Sequence, residues 1–297
     1  MKKSRFFLLV LVIIMGLGYH FLRPLTIFSQ PKITTINLDT YNYQQTALSN
    51  NTVCFRQHAT TKENLVEKAR YQLLVWNLHK GQDPGWQEAI QRYSERADFL
   101  LLQEATEQNQ IPHFLSAPAS WHGVQAGTFA YHGDMSGVML LSHQLPRQYC
   151  VGSENEPWIR IPKIAQAAVY PLSGDRTLLV INLHLVNFEW NPENYHNQLR
   201  EMFHLVSQHQ GPIILAGDFN SWSDKRLDLI QTLAKQYALN EVRFEPDLRL
   251  TFMDNPLDHV FVRDIEVLKA WTEPSDSSDH NPLFVEFELK TISDNNE

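Results

Sequence analysis

Cysteine is nearly absent from this chain: Cys54 and Cys150 are its whole complement. They form no C-x-x-C pair, which excludes a structural zinc site built on cysteine. One disulfide between them, which needs an oxidising compartment, and two unpaired buried thiols both fit the sequence. Histidine is plentiful at 13 residues, yet no H-x-x-x-H or H-E-x-x-H pair falls on a helical stretch. His196 and His204 stand eight positions apart on one helix pattern, too far to share an ion. A zinc hydrolase would therefore have to be assembled from His79, His184, His280 and Glu104, brought together from distant segments. No self-similar period of about 20–50 residues occurs, which argues against a solenoid. Long basic runs are missing too. The longest inside the body is Lys225-Arg226, in an acidic setting.

What is present is a globular composition. Of 297 residues 43% are hydrophobic and 11% aromatic, which excludes disorder as a description of the whole. Net charge is −8; the first thirty residues hold four basic residues and no acid, so the remainder carries 21 basic against 33 acidic residues, or −12. A protein that coats polyanions would show the opposite balance, because affinity for phosphates comes from Lys and Arg. Brief contact between an enzyme and a phosphate is not excluded by it.

Residues 1–30 read as an anchor or signal segment: Lys2, Lys3 and Arg5 precede an apolar run from Phe6 to Leu22. Large residues at 19–22 leave no small-x-small cleavage site, so an uncleaved hydrophobic helix is favoured over a cleaved signal or a tail on a cytoplasmic protein. The basic residues bias the N-terminus only slightly toward the cytoplasm. The expectation is a domain held at the cytoplasmic membrane and facing outward, with a cytoplasmic location as the alternative. Residues 31–70 are polar and read as a linker and lead-in, 71–291 as a single domain, and 292–297 as a disordered tail.

Within that domain YQLLVWNLH, ADFLLLQEA, SGVMLLS, IAQAAVYPL, RTLLVINLHLV, GPIILAGDFN, LDHVFV, IEVLKAWTE and PLFVEFEL read as strands. SGDR is a hairpin turn between two of them. WQEAIQRYSERA, NPENYHNQLREMFHLVSQH and SDKRLDLIQTLAKQ read as helices, with Pro192 near the first turn of the second and Ser223 or Asp224 capping the third. Strands and helices alternate while hairpins also occur, which predicts an α+β fold: a two-sheet β-sandwich flanked by helices on both outer faces.

The strands share an odd feature at their C-terminal ends. Asn77 and His79 end the first, Glu104 the second, Asn182 and His184 the fifth, and Asp218 and Asn220 the sixth, while Asp279 and His280 precede the last. Each residue alone has a plain explanation as a turn, cap or satisfied core group. Repetition at one edge of a sheet is different, since loops at such an edge are where sites are built.

The stretches WNLHKG (76–81), LLLQE (100–104), NLHL (182–185), GDFN (217–220), LDHVFV (257–262) and SSDHNP (277–282) together resemble the endonuclease/exonuclease/phosphatase superfamily, in its order, across about 220 residues. Within it the bacterial YafD-type branch, which also has an N-terminal apolar segment, is the nearest likeness. The resemblance implies a four-layer deoxyribonuclease-I-like fold and a Mg2+-dependent hydrolase of phosphoesters, with Mn2+ as a possible substitute. The residues themselves suit magnesium, which takes hard oxygen ligands: Glu104 as ligand, Asn77 to hold the metal or its water, and Asp279 as a second metal-site carboxylate or a group that orients the nucleophile. By resemblance, Asp218 activates the attacking water and Asn220 is a phosphate donor. His280 would contact the scissile phosphate, kept cationic by Asp258, and His184 would be the acid for the leaving oxygen. Two positions depart from the pattern: His259 stands where an aromatic is usual, and Lys80 adds a positive charge to the first motif.

Substrate is less legible. Trp86, Trp121, Trp158, Trp190 and Trp222 could stack bases, bind lipid or pack, with packing the default. The loops give no clear lipid-insertion signature. The ranking is a phosphodiesterase or phosphatase first, an endonuclease-like activity second and a lipid phosphodiesterase third, acting as a monomer on nucleic acid or a lipid headgroup. A catalytically inactive, membrane-tethered binding protein is the alternative of another class.

Overall fold

The computed structural model describes residues 23–39, 43–49, 52–57, 68–157, 160–187 and 189–290. The apolar segment 6–22, Trp158 and the tail 292–297 lie outside them. Among the described residues no helix is long and apolar enough to cross a membrane.

Two twisted sheets face each other. The first runs β1 (Leu25–Ile36), β6 (His122–Tyr131), β7 (Asp134–Ser142), β5 (Phe99–Thr106), β4 (Tyr71–Asn77), β17 (Leu283–Leu289) and β16 (Ile265–Thr272). The second runs β12 (Asn240–Glu241), β15 (Asp258–Arg263), β11 (Ile213–Asp218), β10 (Thr177–His184), β9 (Pro162–Pro171), β8 (Gln148–Asn155), β3 (Thr52–Gln57) and β2 (Tyr43–Ala47). A short hairpin of β13 (Thr251–Phe252) and β14 (Asn255–Pro256) stands apart. Among the described residues β4 with β5 and β10 with β11 pair in parallel; the other pairs are antiparallel, including β9 with β10 across the SGDR turn.

The continuous apolar runs follow from burial on both faces. Successive side chains of a strand point to opposite sides, so Leu73 and Val75 enter the core between the sheets while Leu74 and Trp76 pack outward. Helix α1 (Trp86–Ser94) covers that outer face with Trp86, Ile90 and Tyr93. On the second sheet Leu178 and Val180 point in, and Leu179 and Ile181 point out against α2 (Glu193–Gln208) and α3 (Asp224–Gln236). Helix, sheet, sheet and helix make four layers.

The lead-in departs from its composition. Three strands, β1, β2 and β3, come from residues 25–57 and extend both sheets, so this stretch is part of the sandwich rather than a linker. Their side chains are mostly exposed or half-buried, which is why the segment reads as polar: an edge strand is held by its backbone ladder and buries little. Cys54 and Cys150 are opposite each other on β3 and β8 and form a disulfide.

Candidate active site

Register gathers the site. Across three neighbouring strands His184 pairs with Asp218, and Asp218 with Asp258, so three strand-end residues stand in one row. From the facing sheet β4 ends on Asn77, and Glu104 sits near the end of β5 in a left-handed backbone conformation (φ 53°) that breaks the ladder with β7. The two sheets are locked behind this row by Asn182, whose amide donates to the Leu102 and Met139 carbonyls and accepts from Gln103 at 2.6 Å. Asn182 therefore positions the site from the interface between the sheets.

Asp218 is the hub. Its Oδ2 accepts from the Asn77 amide at 3.0 Å, its Oδ1 accepts from the Asn220 backbone N–H at 2.9 Å, and His184 Nε2 lies 3.6 Å away. Gly217 makes this geometry possible. Its φ is 138°, and a Cβ there would come within 2.1 Å of the Leu183 carbonyl oxygen on the paired strand. Burial pushes the Asp218 carboxyl up to about 6, with the His280 charge opposing the rise and Asp258 adding to it.

His280 donates Nδ1–H to Asp258 Oδ2 at 2.7 Å, and both are buried. Burial alone would favour the neutral ring, but the Asp258 carboxylate outweighs it and holds the imidazolium up to about 10. The segment carrying His280 is pinned to β4: the Trp76 indole donates to the His280 carbonyl at 2.8 Å, and the Ser278 hydroxyl to the Asn77 carbonyl at 2.6 Å.

Glu104 faces two lysines and the His184 ring. Lys80 donates to its Oε2, and His184 Nε2 lies 3.9 Å from its Oε1. Burial opposes its ionisation, but the charges around it, those of Lys80 and Lys163 among them, bring it down to about 2. Lys80 is thereby a site residue, not a solvated turn. Lys163, on β9, donates to His184 Nε2 at 2.8 Å. Burial and this ammonium keep His184 well below its usual range, so the imidazole is neutral. Nothing in the pattern PKIAQAAVYP singled out Lys163; its only signal is the one charge on the strand.

The remaining expected residues are placed differently. Asp279 is half-exposed and stands 3.9 Å from His79, whose Nδ1 bonds Asp83 at 2.8 Å. The Asn220 side-chain amide donates to the Leu185 carbonyl at 2.9 Å. His259 is buried as packing, between Glu241 (2.7 Å) and the Ser221 hydroxyl (2.7 Å). Arg226 is no part of a basic surface: fully buried, it donates to the carbonyls of Val186, Asn187, Glu189 and Asn220 and clamps the loop beside the site. Among the described residues the acidic and imidazole atoms close enough to share one ion are those of Asp218, Asp258 and His280, so the His79–His184–His280–Glu104 constellation is not assembled.

A buried carboxylate with an elevated pKa beside a cationic His–Asp pair, at one end of a four-layer sandwich, is the arrangement of a phosphoesterase-type fold. The model of the Endonuclease/Exonuclease/phosphatase family matches residues 74–280. The chain belongs to this family. A UPF0294 protein of Vibrio vulnificus strain YJ016 is 37% identical over 292 residues, covering 98% of this chain and 99% of that protein. Among solved structures of the fold, an endonuclease/exonuclease/phosphatase from Beutenbergia cavernae superposes with a TM-score of 0.59 at 16% identity, over 76% of this chain and 74% of that one. ANGEL2, a 2′,3′-cyclic phosphatase, gives 0.59 at 15% identity, over 79% of this chain and all of its own. Family members are hydrolases of phosphoester bonds.

Proposed function

We propose that this protein is a metal-dependent phosphoester hydrolase in which Asp218 activates water. The observation that carries the reading is Asp218 itself: a buried carboxyl raised to about 6, steered by Asn77 and Asn220, beside the His280–Asp258 pair. A base works best with a pKa near the operating pH, and this one is ionised at neutrality yet basic enough to take a proton.

The water oxygen forms the new bond to phosphorus and the ester P–O bond breaks. One proton passes to Asp218, and the leaving oxygen takes one in turn. His280 uses Nδ1 on Asp258 and presents Nε2 to a phosphate oxygen, a cationic donor aimed where charge builds. Neutral His184 does not carry the proton expected of an acid at Nε2; Lys163, which donates to that nitrogen, does.

The donor set fits a hard divalent cation. Glu104 is ionised despite burial, with a lysine as its counter-ion, and Asn77 and Asp279 offer further oxygens at the same edge. The Asp218–Asp258–His280 group fits less well, because a protonated imidazole has no lone pair to give. Mg2+, or Mn2+ in its place, would neutralise phosphate oxygens when bound. A cyclic phosphodiester of the kind ANGEL2 acts on, other diesters and monoesters all suit this chemistry. Residues 6–22 are proposed as the anchor that holds the domain to a membrane, on its outer side.

The test is turnover of a soluble diester, bis(p-nitrophenyl) phosphate, and of a monoester, with Mg2+, Mn2+ or chelator. Chelation should abolish activity, and Glu104→Gln and Asp218→Asn should each lower kcat by about 10²–10³-fold. Activity that survives both substitutions overturns the assignment. A folded wild type that is silent toward every ester would favour a binding protein instead.

A further inference from the structure

Apolar groups gather on both sides of the site. On one side a hollow of about 310 Å³ opens beside Asn220, lined by Trp190, Trp222, Phe252, Met253 and Leu257. Three of these stand in solvent: Trp190 is 76% exposed, Met253 62% and Phe252 54%. Trp190 meets Trp222 edge-on at 5.3 Å, and Arg226 lies over Trp222, so the platform is built on a buried clamp. On the other side Tyr131 and Ile27 are exposed. Tyr131 ends β6 at the tip of the β6–β7 hairpin, which continues past Thr106, the last residue of β5, at the same end of the sheet as Glu104.

The chain enters the fold at this end. Leu25 pairs with Tyr131, and the Pro24 carbonyl accepts from the His132 N–H at 3.0 Å. The apolar run of the sequence stops at Leu22. Two residues, Arg23 and Pro24, span at most about 7 Å, so whatever holds residues 6–22 holds this end of the sandwich close to it. An exposed Trp and Phe with Met, and a Tyr across the site, are side chains suited to the boundary between headgroups and acyl chains. The body's charge of −12 disfavours a nucleic acid as occupant of the same surface.

We propose that the end of the sandwich carrying the site lies against a lipid bilayer, with Trp190, Phe252 and Met253 on one flank and Tyr131 and Ile27 on the other dipping into it, and that the substrate is a phosphoester in a lipid headgroup. The substrate class rests on the hydrolase reading above; the docking does not. The full chain is reconstituted into phosphatidylcholine vesicles with or without bromine on the acyl chains, and tryptophan emission is compared between wild type and Trp190→Phe. The difference between the two, which belongs to Trp190, should be blue-shifted and lost in brominated vesicles, and Phe252→Trp in the Trp190→Phe background should restore a quenched signal. The Glu104→Gln, Asp218→Asn protein should behave as wild type in this assay. A Trp190 difference emission that brominated lipid leaves intact and aqueous acrylamide quenches overturns the docking. Release of a phosphorylated or free headgroup from vesicle lipid supports the substrate class; turnover of soluble diesters with none from vesicle lipid overturns it. Quenching without turnover of any ester keeps the docking and removes the hydrolase reading.

Discussion

Lys163 holds a proton among groups that compete for it. Burial lowers its pKa, while Glu104 and Asp218 pull it back up, and its ammonium donates to the neutral His184. It is thereby the group that reaches the His184 ring from the β9 side of the site. Lys163→Met, which keeps the length of the stem, should lower kcat by about 10²–10⁴-fold while the circular-dichroism spectrum stays unchanged. Arg249 works differently. It bonds Asp247 at 2.7 Å and Glu241 at 3.4 Å, and its Nη1 donates to the Asp258 carbonyl at 3.0 Å. The Arg249 hydrogen bond holds Asp247 below the usual carboxylate range; for Glu241 burial opposes ionisation, but His259 and Arg249 outweigh it. Carboxyls depressed in the folded state stabilise it above their unfolded pKa, and that contribution disappears as pH falls through the folded value. Arg249→Met should therefore melt below wild type at pH 7, and the gap should close as pH falls below about 4.

At the scale of elements, two strand ends decide whether the row of site residues forms. Gly217 lets β11 approach β10 so closely that His184 and Asp218 come into register. Gly217→Ala would have to open that pair, at a cost of about 3 kcal/mol in denaturant melts and with loss of activity in what remains folded. The elements that supply Asn77, Glu104, His184, Asp218 and His280 were legible because burial on both faces leaves long apolar runs, and a polar residue ending such a run stands out. The residues that tune them were not. Lys163 acts through a contact between strands, Lys80 shows in the sequence only as a charge in the first motif, and Arg226 looks like surface charge until the loop folds around its guanidinium. β1 and β2 escaped for a related reason: a strand that buries little carries no clear alternation to read, while β3, which does alternate, is only six residues long.

For the molecule as a whole, the disulfide closes a loop of about 96 residues between β3 and β8. Cross-links of that span restrict the unfolded chain strongly, and replacing both cysteines with alanine should cost about 2–5 kcal/mol in denaturant unfolding. The bond fastens β3, and β2 beyond it, to β8, where Phe55 stacks on Tyr149.

The sheet order carries a further consequence. β1 seals the edge of β6, and β3 with β2 seals the edge of β8, yet all three strands come before residue 74, where the span common to the family begins. A chain that begins at Tyr71 would keep Asn77, Glu104, Asp218 and His280 and still present two long, unprotected strand edges, those of β6 and β8, to its neighbours. Such edges recruit other strands, so the shortened protein should associate through them and precipitate. The first strands thus guard the sheet edges next to the site while adding no residue to it.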